Sequence, residues 1–263
     1  MAANQPEAWL VEAARERVHE FASQVRAADP SQRVPNLDWT VADLAQHVAC
    51  LPGFWTEQHQ GGDTFELPDD FAAFSDSKRA WITTTVASEL ADLIESGFDG
   101  FLTELASCDE TFWLYGSPQN ATNLCALTVN ETILHGRDLA AVTGVRPPMH
   151  DDREVHAVVN AMMATTPAFI DPVKAAAQPD GVYHVHFRGG DHWTWTKRGP
   201  ELIVTPGKPP KADAHMRADA ATFLLASLGR ISQVRAGLSG KMLTYGKKPW
   251  RFLGLGTMAV DGV

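Results

Sequence analysis

At residues 144–148 the chain reads GVRPP, and the spacing of its apolar residues changes across that point. Upstream they recur every three to four positions. Downstream, "VYHVHFRGGDHWTWTKRGPELIVTPG" alternates in period two and is punctuated by Gly-Gly and Gly-Pro. The first period lays one apolar stripe along a helix, and the second gives a strand one buried face, so a single element type cannot serve both halves. The pattern predicts an α+β chain of two domains. Residues 1–148 form an up-and-down four-helix bundle, and residues 149–263 form a small α+β domain. At 263 residues the chain is long enough for both cores.

Charge divides at the same place. Residues 1–147 carry 8 Lys and Arg against 22 Asp and Glu, whereas residues 148–263 carry 14 against 10. An overall balance of −10 argues against a nucleic-acid partner, because phosphates would be repelled. No apolar run approaches the roughly 20 residues that a membrane-spanning helix needs, and the N-terminus lacks the pattern of a secretory signal. Cys50, Cys108 and Cys125 are scattered without a paired spacing, as expected in a reducing cytoplasm.

Four helical patterns are expected in the first half. The first carries Leu10, Ala14, Val18, Phe21 and Val25 on one stripe. The second opens at Thr40, which can cap it while Asp43 reaches back. The third runs from about Phe71 to Leu105, with an interruption near Gly97–Gly100, after a Gly/Asp/Pro-rich loop from Gly61 to Asp70. The fourth spans about Asn120 to Thr143 and is closed by Gly144. In the second half an antiparallel meander is followed by a strand in "ADAHMRAD", a helix in "AATFLLASLGR" and a last strand in "GKMLTYG".

Within the fourth helix, Glu131 and His135 lie one turn apart on a stripe shared with Leu124 and Leu127. His47 occupies the apolar stripe of the second helix, three after Leu44 and four before Leu51. Two imidazoles and a carboxylate facing one bundle interior make a plausible zinc set, with a fourth position left open for water or substrate. The same spacing also describes a surface acid–imidazole pair and a core histidine bonded to a carbonyl. Cys50 could join or replace a ligand, or fill the core. Asp138 could orient His135 from behind, or be a helix-surface aspartate. His184 and His186 share a strand face and read as a solvent-facing or sheet-packing pair.

"WTVADLAQHVA", followed some eighty residues on by "NETILHGRDLAAVTG", resembles the mycothiol-dependent maleylpyruvate isomerase family within the DinB-like metal-binding bundles. "VHFRGGDHWTWTKRGPELIV", "HMRADAATFLLASLGR" and "GKMLTYGKKPWRFLGLG" are similar to its companion sterol-carrier-like domain. The resemblance implies a metal held by His47, Glu131 and His135, zinc by default though other divalent transition metals suit the set. It implies mycothiol as the cofactor thiol and a small electrophilic substrate, anionic or neutral. It also implies an arginine from the second domain near that substrate, for which Arg217, Arg230, Arg235 and Arg251 are candidates.

A free thiol of pKa about 8.5 is only a few per cent ionised at pH 7, and coordination deprotonates it. For a maleylpyruvate-like substrate the thiolate would add to the cis double bond, and rotation followed by expulsion would give the trans isomer. S-transfer to another electrophile would use the same activated thiol. No Cys/His or Ser/His constellation supplies a protein nucleophile, and no catalytic side chain is assigned. The alternative is an apolar-ligand-binding protein with a structural or vestigial metal, in which "ATFLLASL" and "PWRFLGLG" line a tunnel.

Overall fold

A computed structural model describes residues 5–35, 37–64, 68, 70–145 and 151–260. The chain separates into two compact units, residues 1–150 and 151–263.

In the first unit α1 (Ala8–Ala27) buries Leu10, Ala14, Val18, Phe21 and Val25, the stripe its sequence predicts. The next helix, α2 (Val41–Gly61), begins at a complete capping box. The Asp43 N–H donates to Thr40 Oγ1 at 3.2 Å, and the Thr40 N–H donates to Asp43 Oδ2 at 2.8 Å. Both ends of this exchange satisfy donors that the first turn leaves without intrahelical partners. Thr40→Ala is expected to cost about 1 kcal/mol in a denaturant titration, and Thr40→Ser much less.

The long third helix is two helices, α3 (Phe71–Arg79) and α4 (Ala87–Ser107). The break falls at 80–86, not at Gly97–Gly100, which lie inside an unbroken α4. Residues 82–86 read ITTTV, and five successive β-branched side chains crowd a helix more than two separated glycines weaken one. Gln46 Nε2 donates to the Thr84 carbonyl at 2.9 Å and fastens the connection to α2. Residues 65–67 and 69 of the preceding loop lie outside the described residues.

A hairpin unforeseen from the sequence follows, β1 (Phe112–Leu114) paired with β2 (Ser117–Gln119). Its two-residue turn is Tyr115–Gly116, at φ 54° and 66°. Positive φ at both positions is the turn that matches strand twist, and a tyrosine there is strained. Last comes α5 (Ala121–Thr143), capped by the Asn120 side chain and ended by left-handed Gly144 at φ 72°. It is buried on most sides, and α1, α2 and α4 all pack against it.

The second unit opens with α6 (Asp152–Thr165) and α7 (Pro172–Ala176). Its strands are β3 (Gly181–Phe187), β4 (His192–Arg198), β5 (Glu201–Pro206), β6 (Ala214–Ala218) and β7 (Met242–Gly246). Between β6 and β7 lie α8 (Ala220–Ser227) and α9 (Gln233–Leu238), and α10 (Arg251–Leu255) closes the unit. The sheet order is β5-β4-β3-β6-β7, and β3 and β6 run parallel, so the meander is part of a mixed sheet. Tyr183, Val185 and Phe187 face the helices, with Tyr183 against Phe252 and Phe187 against Phe223. Phe223, Leu224, Phe252 and Leu255 are thus core residues of this layer rather than the lining of a tunnel.

Candidate metal centre in the bundle

Helical geometry sets Glu131 and His135 on one line of α5, and α2 brings His47 across to them. One ligand atom from each of the three lies within 4.8 Å of the other two. His135 Nε2 is 3.4 Å and His47 Nε2 3.7 Å from the same carboxylate oxygen, Glu131 Oε2. The rings of His47 and His135 meet edge to face, with centroids 5.1 Å apart.

The outward nitrogens are held as well. His135 Nδ1 lies 3.1 Å from Asp138 Oδ2, and Asp138 is buried rather than on the helix surface. His47 Nδ1 lies 3.4 Å from Ser75 Oγ on α3. An Nδ1–H donated to Asp138 would leave the His135 Nε2 lone pair for an ion held between it and Glu131, which is how an outer carboxylate orients a metal-binding imidazole. Side-chain exposure is 7% for His135, 16% for His47 and 20% for Glu131, so the cluster has an open side at the latter two.

Burial opposes charge on every member. Burial would push the Glu131 carboxyl up, but hydrogen bonds and charge from His135 and His47 bring it down to about 2. Burial also works against the His135 imidazolium, yet Asp138 and Glu131 together raise its pKa above the ordinary value. His47 has no second acid, and burial lowers it. An anionic oxygen facing two imidazoles fits a divalent ion of the zinc group, since ligands, outer partners and charge all suit one.

Cys50 points elsewhere: its Sγ donates to the His47 carbonyl at 3.1 Å, and burial pushes its thiol up to about 12. It is not among the atoms that converge on the cluster.

Three neighbours were not foreseen. The Trp39 ring lies 5.1 Å from that of His47 and 6.4 Å from that of His135. The Arg79 guanidinium sits 5.6 Å over Trp39 and is fixed by an ion pair with Asp43. Tyr115 is delivered by the strained hairpin turn; its N–H donates to Gln58 Oε1 at 2.6 Å, and its ring lies beside Phe54 and Phe71. Burial raises its phenol pKa, and the Glu131 carboxylate raises it further. The Tyr-Gly pair between "FWL" and "SPQ" was the available signal for this turn.

Residues 11–140 match the family model of the mycothiol maleylpyruvate isomerase N-terminal domain. By its N-terminal domain the chain belongs to that family. The chain is similar to the crystal structure of the mycothiol-dependent maleylpyruvate isomerase, at 15% identity and a TM-score of 0.50, over 89% of this chain and 94% of that one. A histidine-to-alanine mutant of that enzyme gives 16% identity and a TM-score of 0.50, over 93% and 95%. At such identities the likeness establishes the fold. The stereoselective inverting sec-alkylsulfatase Pisa1 from Pseudomonas sp. matches at 14% identity with a TM-score of 0.37; this chain spans 32% of it, and the match carries no argument. No curated protein sequence gives a significant match.

The four arginines expected to include a substrate partner lie in the second unit. Arg230 Nη1 donates to the Leu228 carbonyl and Arg251 Nη1 to the Asp180 carbonyl, at 2.8 Å and 2.7 Å. Arg235 lies in α9 and Arg217 on β6, both exposed. No helix among the described residues is long and apolar enough to cross a membrane.

Proposed function

We propose that this chain is a metal-dependent enzyme that activates a low-molecular-weight thiol, mycothiol in the family's usage, for isomerisation of a maleylpyruvate-like acid or S-transfer to a small electrophile. His47, Glu131 and His135 hold the ion, with zinc as the default, and the cytoplasm is the compartment in which such a thiol stays reduced. The observation that carries this reading is the convergence of three donor atoms in the family's bundle, with an outer partner on each imidazole. A bound divalent ion would supply a Lewis-acidic centre that takes a thiol as its thiolate at neutral pH.

The chain's own residues do the rest. Asp138 and Ser75 hold the imidazoles in register. Trp39 forms an apolar wall beside both rings, and Arg79, locked by Asp43, places a fixed positive charge behind that wall. With Cys50 held neutral, the nucleophile comes from outside the chain.

The test is metal content of protein never exposed to a nickel column, in wild type and His135→Ala. About one zinc per chain, lost in the variant, is expected; a wild type that binds no ion at this site overturns the reading. Asp138→Asn should lower metal affinity by about 10–100-fold, measured by chelator competition, because it loosens one imidazole without removing a donor.

A further inference from the structure

The short helix α3 lies on α2 with its inner face only half-covered. Phe71, Phe74, Ser75, Lys78 and Arg79 recur at the spacing of one helix face and are half-buried, while the residues between them are exposed. None of the helix's nine residues is fully buried. That face is aimed at the strip of α2 that carries His47. Ser75 Oγ lies 3.4 Å from His47 Nδ1, and the Phe74 ring lies 5.4 Å from that of Phe54, about two turns along α2 from His47.

Four rings close a circuit there. Phe74 to Phe71 is 6.1 Å between centroids, Phe71 to Tyr115 is 6.0 Å, and Tyr115 to Phe54 is 6.2 Å. Phe54 is buried beneath, and the other three rings are half-exposed. The Tyr115 phenol is within electrostatic reach of the Glu131 carboxylate. The circuit therefore borders the metal centre where His47 and Glu131 leave it open.

The cations near these rings are already matched. Lys78 Nζ is 2.7 Å from Glu57 Oε2, and it lies over the Phe54 and Phe74 rings at 5.8 Å and 5.3 Å. Arg79 pairs with Asp43 and is 3.3 Å from Asp76. The helices α2 and α3 and the β1–β2 hairpin carry no other Lys or Arg. A compact anion finds no spare counter-charge on this wall. A flat apolar group finds aromatic surface that it can stack on or meet edge to face, with area on Phe71 and Phe74 still to be covered.

We propose that Phe54, Phe71, Phe74 and Tyr115 form the electrophile subsite of the bundle centre, and that its substrate carries an aromatic or other flat apolar group rather than being a compact anion. This rests on the thiol-activating reading above and narrows it toward S-transfer. Ser75 ties the two parts together, since the helix that supplies two of the rings also supplies the partner of His47.

The first readout is a fluorescence titration of naphthylmethanol, which cannot react, into the full-length chain with and without zinc. Wild type is expected to bind it, and Phe71→Ala/Phe74→Ala to bind it about tenfold more weakly through loss of ring contacts. Zinc content and circular dichroism check that the variant keeps its metal and its helices. Phe71→Leu/Phe74→Leu, which keeps apolar cover without rings, should recover only part of the affinity. The second readout is turnover of zinc-loaded protein with mycothiol, above the uncatalysed rate, on chloromethylnaphthalene and on maleylpyruvate. With the halide, the thiolate sulfur bonds to the benzylic carbon as the carbon–chlorine bond breaks. Chloride leaves with the bonding pair, and the thiol proton passes to water. Wild type should favour the halide in kcat/KM, and that preference should fall about tenfold in Phe71→Ala/Phe74→Ala. No naphthylmethanol binding, equal binding by wild type and variant, or an unmoved preference overturns the subsite. Maleylpyruvate turnover beside any of these leaves the thiol-activating reading standing. Ring-dependent naphthylmethanol binding with no turnover of either electrophile overturns that reading instead and retains the four rings as an aromatic-ligand site.

Discussion

In Glu131→Gln, stable metal binding is expected to vanish, and thiol-dependent turnover with it. The carboxylate oxygen is the atom on which both imidazoles converge, at 3.4 Å and 3.7 Å, and the charge it carries is what offsets the ion's. An amide of the same shape presents a neutral carbonyl and puts two N–H donors where lone pairs are needed. The loss of affinity should exceed the about 100-fold attached to an outer partner, which ranks Glu131→Gln below Asp138→Asn in the same chelator competition. Equal affinities for the two variants would mean that Glu131 is not a ligand. Thermal unfolding without metal separates this outcome from simple misfolding.

Trp55→Ala is expected to have the largest effect on stability, about 3–5 kcal/mol in a urea titration. The indole is 1% exposed and lies against Phe98 at 6.2 Å and Phe101 at 5.5 Å, so truncation leaves a hole between α2 and α4 that rigid neighbours close poorly. Trp55→Phe should recover most of the loss. A cost under 1 kcal/mol would contradict the packing described.

The bundle was legible where chemistry and period agree. Thr40 and Asp43 announced a cap, Gly144 a left-handed stop, and the stripe of α1 a buried face. His47, Glu131 and His135 could be singled out because charged or titratable groups on apolar stripes are conspicuous. The sequence reading erred where weak signals competed. Gly97 and Gly100 looked like a break because glycine is the familiar helix breaker, while the run of β-branched residues at 82–86 set the real one. Trp39, Arg79 and Tyr115 were unreadable as neighbours of the cluster, since only tertiary packing brings a residue before α2, one on α3 and one in a hairpin to the same place. The parallel β3–β6 pair was hidden for a like reason: strand pattern reports faces and not partners.

That parallel pair fixes an order of events. β4 follows β3 and β5 follows β4 through short turns, and each can pair with the strand before it as soon as it leaves the ribosome. β6 cannot, because the chain must first return from the β5 edge to the far side of β3. His215 therefore joins His184 last, after the hairpin holding His186 and His192 has formed. A nascent chain ending at Pro206 would hold three paired strands with one edge of β3 still open, and that edge closes only when β6 slots in.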